Sequence, residues 1–97
     1  MNSISRGVAL ELKSVGENLI FSYLDSLKGI NEATKIMKEN TTNEIKAYQI
    51  YQKVVDFNIH LKNDFKINQW NYIENIIIEK LYVMIAKGNL ILEERIV

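Results

Sequence analysis

Cysteine and proline are both missing from this chain, and each absence excludes something. Without cysteine there is no disulfide framework, no thiolate nucleophile and no cysteine-based zinc site. A small domain without such staples depends on its core or on assembly with another chain. Without proline, nothing obliges a long helix to stop or kink. Glycine is scarce: Gly7, Gly16, Gly29 and Gly88 are widely separated, so no glycine-rich phosphate loop can form. An excess of either charge is also missing. Lys plus Arg and Asp plus Glu stand at twelve each. The balance is local: residues 1–40 carry five of each sign, residues 41–66 sum to +1 and residues 67–97 to −1. No basic block or acidic tail offers itself to phosphate or to a cationic surface.

Long uncharged apolar runs are missing as well. None approaches the ~20 residues needed to span a bilayer, and Glu11 and Lys13 interrupt the start of the chain where a signal peptide would be apolar. The expectation is a cytoplasmic protein with no membrane segment. Apolar residues make up 47% and charged residues 25% of 97 positions, the composition of one globular domain. Fifteen Ile, eleven Asn and ten Lys are what an AT-rich coding sequence yields, which points to a bacterium or its phage.

What is present is helical periodicity. Ile4, Val8, Leu12, Val15, Leu19, Tyr23, Leu27 and Ile30 recur at spacings of three and four, predicting a first helix over residues 3–28 with Gly16 on its buried face. Gly16 suits a close helix crossing, and Gly29 suits the residue just past the helix end. Leu10, Phe21 and Leu24 point away from the stripe. A short helix over 31–39 follows, with Ala33, Ile36 and Met37 inward. Thr41 and Glu44 fit a capping box for a third helix over 42–62. That helix carries Ala47, Ile50, Val54, Phe57 and Leu61 on one stripe and Tyr48, Tyr51, Val55 and Ile59 on another.

The last helix, over 69–87, is the most apolar segment. Twelve of the seventeen residues in WNYIENIIIEKLYVMIA (70–86) are apolar or aromatic. Trp70, Ile73, Ile77, Leu81 and Met84 form its central stripe; Asn68 is the expected cap and Gly88 the expected stop. Tyr72, Ile76, Ile78, Tyr82, Val83 and Ile85 widen the stripe until only a narrow polar side is left. A helix so apolar must lie centrally or be covered by a second chain. The tail, residues 89–97, reads equally as a short helix or a strand. The fold class expected is all-α: a small bundle of three long helices and one short one in a single domain, residues 1–97.

Sites are sparse. Asp56, His60 and Asp64 recur every four residues and would form a metal-binding ladder if one helix carried all three. No other His or Cys exists to complete it, so the preferred reading is an exposed histidine between helix-stabilising acids. The five serines, Ser3, Ser5, Ser14, Ser22 and Ser26, all lie in the first helix and in no nucleophile-elbow context. Neither a catalytic constellation nor a cofactor site is implied. Residues 31–53 admit a helix–turn–helix reading with Lys46, Gln49, Gln52 and Lys53 facing bases. The neutral charge of that segment argues against it, since phosphate contacts supply most non-specific affinity.

The apolar excess leads elsewhere. Trp70, Tyr72, Ile76, Tyr82 and Val83 on the last helix, Tyr48 and Tyr51 on the third and Phe21 on the first are the candidates for a partner or dimer interface. The function expected is a small non-enzymatic interaction module. It would act as an inhibitor, an immunity or anti-defence factor, or an adaptor, assembled as a homodimer or on another protein. A helix–turn–helix regulator is the competing class.

Overall fold

Each α-helix begins where a side-chain oxygen accepts from a backbone N–H of its first turn or cap. The computed structural model describes residues 4–88 together with Leu90. The expectation for the tail, residues 89–97, falls outside them except at Leu90, which packs against the core. Helix α1 spans Arg6–Leu24, α2 Leu27–Met37, α3 Asn43–Phe57 and α4 Ile67–Ala86, and a 3₁₀ helix over Ile59–Asp64 joins the last two. The chain is an all-α bundle, as the periodicity implies.

Ser5 opens α1 by accepting from the Val8 amide at 3.3 Å. The helix stops at Leu24, earlier than expected, because Ser26 caps a new one. Its Oγ accepts from the Gly29 amide at 2.9 Å and donates to the Tyr23 carbonyl at 2.6 Å. Gly29 therefore does not end a helix. It lies in the first turn of α2, where a Cβ would run into the Tyr23 carbonyl. The two-residue turn brings α2 alongside the end of α1, so Leu24 is buried rather than outward-facing.

Thr42, not Thr41, caps α3: its Oγ1 accepts from Ile45 N at 3.2 Å. The capping box expected of Thr41 and Glu44 is absent because Glu44 falls one position short of the third residue of the helix. That helix also ends early, at Phe57. Buried Asn58 leaves helical geometry and donates its amide to the carbonyls of Leu19 (3.3 Å) and Val54 (2.9 Å), fastening α3 to α1. At the start of α4, Asn68 is not the cap. The Gln69 side chain accepts from the Lys66 amide at 3.2 Å, and the helix begins two residues earlier than expected. Gly88, with φ +71°, closes α4 as expected.

The pairings fix helix directions. Tyr51 meets Glu74 and Tyr82 meets Glu44, so α3 and α4 are antiparallel. Lys46 reaches Met37 and Lys53 approaches Glu32, so α2 and α3 are antiparallel too. Tyr23 packs edge-on against Phe57, with ring centroids 5.5 Å apart, so α1 and α3 run parallel. The result is an up–down–up–down bundle whose core includes Leu12, Leu19, Ile20, Tyr23, Ala33, Ile50, Val54, Trp70, Ile73, Ile77 and Leu81.

Helix α4 lies between α1 and α3. Its buried stripe runs Trp70, Ile73, Ile77, Leu81 and then Ile85; Met84, the expected last member, is only half-buried. Gly16 permits the α1–α4 crossing, since a Cβ there would stand 2.8 Å from Ile76 Cγ2. The molecule is flat, with extents of 43 × 27 × 17 Å, and α4 keeps an open side on which Glu79, Tyr82 and Val83 are exposed.

Candidate interaction surface

Two grooves flank the open side of α4. The first, between α1 and α4, has a volume of about 280 Å³ and is lined by Lys13, Glu17, Ile76, Glu79, Lys80 and Val83. The second, between α3 and α4, has a volume of about 260 Å³ and is lined by Glu44, Ala47, Ile78, Glu79 and Tyr82. Glu79 stands on the crest between them. The antiparallel register of α1 and α4 places Leu10, at 64% exposure the most exposed apolar side chain of α1, near the level of Val83.

Tyr82 and Val83 are exposed, Ile76 and Tyr72 half-buried. Tyr48 is 49% exposed and its ring lies 5.4 Å from that of Tyr51, at 44°. Tyr51 is half-buried and donates to Glu74 Oε2 at 2.8 Å. Its phenol is pushed up to about 12 from the usual 10.0 by burial first, then by the hydrogen bond and charge of Glu74, then by Tyr48. Tyr82 makes a long contact, 3.5 Å, from its hydroxyl to Glu44 Oε1. Phe21 is exposed, on the outer side of α1 with Leu10 and in neither groove.

Trp70 is placed differently from expectation. It is 1% exposed, with Phe65 6.0 Å away and tilted 31°, so it anchors the core and presents nothing to a partner in this fold. An amphipathic aromatic at the start of an apolar helix has the same sequence signature in either role; the turn that carries Phe65 over it decides. Glu44, Glu74 and Glu79 are the site residues that sequence reading missed. The acid–tyrosine pairs span 23 and 38 positions, beyond any local pattern.

The other candidate sets are dispersed. Asp56 belongs to α3, whereas His60 and Asp64 lie on the 3₁₀ helix beyond the break at Asn58, so no single α-helical face carries the ladder. Among the described residues no three potential ligands cluster around one point. Lys46 donates its ammonium to the Met37 carbonyl at 2.9 Å, capping the end of α2, and Lys53 sits 3.8 Å from Glu32. Gln49 is half-buried with an unpartnered Oε1, and only Gln52 stands free in solvent on the turn that would face bases. No helix among the described residues is long and apolar enough to cross a membrane. Comparison with known protein families, with curated proteins and with solved structures yields no match.

Proposed function

We propose that this chain is a non-enzymatic interaction module that works by covering a surface of a partner protein, as an inhibitor, immunity or anti-defence factor, or adaptor. The observation that carries the reading is the open side of α4: exposed Val83 and Tyr82, each lining one of two grooves that meet at Glu79. Large apolar side chains grouped around grooves mark association surfaces. The α1–α4 groove carries Lys13 and Lys80 with Glu17 and Glu79, a balanced set that a second copy of the chain can complement about a two-fold axis. The competing helix–turn–helix reading draws less support, since Lys46 and Lys53 are engaged within the chain.

Sedimentation equilibrium at micromolar concentration, with affinity capture from a bacterial lysate, tests the proposal. The expected result is a species heavier than the 11.3 kDa chain, or one stoichiometric protein partner, lost on Val83→Lys. A clean monomer that captures nothing would overturn it. So would heparin retention falling steeply with salt, the mark of a nucleic-acid binder.

A further inference from the structure

The two grooves differ in charge, and that difference selects a partner for one of them. The α1–α4 groove is balanced, whereas the α3–α4 groove is lined by Glu44 and Glu79 and, among the described residues, by no basic one. Glu74, one turn from Ile78 on the same side of α4, adds a third carboxylate to that face through its contact with Tyr51. Lys46 caps α2 and Lys80 lines the opposite groove beside Lys13, while Lys53, 3.8 Å from Glu32, lines the neighbouring depression with Tyr48 and Tyr51. Tyr51 and Tyr82 stand against these acids, each contact engaging one carboxylate oxygen, and Tyr48 packs on the Tyr51 ring.

We infer that the α3–α4 face is the docking site for a cationic segment of a partner protein, an amphipathic helix presenting arginine beside aliphatic side chains. Guanidinium groups satisfy both features of the face. They pair with carboxylates through directed hydrogen bonds and stack on tyrosine rings. The aliphatic side chains fit the floor made by Ala47 and Ile78. A second copy of this chain is disfavoured here, because a two-fold axis through the groove would set Glu44 and Glu79 against their own counterparts. The whole chain is neutral, so attraction of a cation to this face is local and not a consequence of net charge.

This inference rests on the interaction-module reading, and its test is separable from the test of that reading. A short amphipathic peptide of leucine and arginine is titrated into the full chain and followed by amide NMR, with the glutamate-for-arginine peptide as the comparison. The expected result is movement of the amides of Glu44, Tyr48, Ile78 and Tyr82 with the arginine peptide alone. The double variant Glu44→Gln, Glu79→Gln should bind about tenfold more weakly, the scale of two lost charge-assisted contacts. Tyr82→Phe should keep the affinity that Tyr82→Ala loses, because the ring and not the hydroxyl faces the cation. Thermal melts of each variant separate lost binding from lost folding. Shifts confined to other faces, equal binding of the two peptides, or an unweakened glutamine variant would each sink the inference. A chain that assembles through Val83 while the arginine peptide leaves α3 and α4 unmoved loses this inference alone.

Discussion

At Gly29 a hydrogen atom is all that the space allows. A methyl group there meets the Tyr23 carbonyl, which is backbone and cannot rotate away. Gly29→Ala is therefore expected to cost about 3 kcal/mol or more, at the upper end of overpacking. Gly16 is also in contact, but its obstacle is the Ile76 side chain. A small shift of that side chain, together with the gain in helix propensity, should hold Gly16→Ala within about 1 kcal/mol of the parent. Urea melts of the two variants make the comparison, and equal losses would show that the backbone clash is not the cause. Ile77, 0% exposed in the middle of the α4 stripe, should lose roughly 2–5 kcal/mol on truncation to alanine. His60→Ala, on an exposed side chain, serves as the control and should stay within about 0.5 kcal/mol.

Among the elements, the break between α3 and the 3₁₀ helix matters most. Asn58 is 3% exposed, and its amide reaches two carbonyls on two different helices. Removing the donor leaves those oxygens with fewer partners in a dry site, so Asn58→Ala should cost about 1–3 kcal/mol. Asn58→Asp should do at least as badly, because a carboxylate replaces the donor and faces carbonyl oxygens. If Asn58→Ala melts like the parent, the clasp to α1 contributes nothing. The break also decides the fate of the Asp56, His60 and Asp64 ladder, since 3₁₀ geometry no longer stacks residues four apart.

For the molecule as a whole, two tyrosines make stability depend on pH in the alkaline range. Burial raises the Tyr23 phenol well above its usual 10.0, and the hydrogen bond to Glu32 at 2.7 Å and the charge of that carboxylate act in the same sense. Tyr51 is raised to about 12. The folded state therefore holds these protons more tightly than the unfolded chain. The stabilisation is fully present below the unfolded value of about 10 and is lost as pH rises through the folded values. Urea midpoints should be lower at pH 11 than at pH 9, and Tyr23→Phe, which has no proton to lose, should flatten the fall. A midpoint independent of pH across that interval in the parent would contradict the burial of both phenols.

Periodicity in the chain sufficed for the all-α class, for four α-helical segments and for most of the core, because burial on one side of a helix repeats every three or four residues. It also marked the Gly16 crossing, the Gly88 stop and the wide apolar face of the last helix. It could not place the breaks at Asp25–Ser26 and at Asn58. There the apolar spacing continues across the junction; the chain turns at Ser26 through local bonds to Tyr23 and Gly29, and at Asn58 because the side chain finds a partner on another helix. Trp70 and Tyr82 have the same local signature of an aromatic in an apolar helix, yet one is core and the other surface. Phe65 and the flanking helices cover the first, while the flat arrangement of the bundle leaves the second open. The charge asymmetry of the two grooves was beyond reach for the same reason. Local charge sums are nearly zero along the sequence, and a face of one sign emerges only when antiparallel packing sets Glu44 opposite Tyr82 and sends the neighbouring lysines the other way.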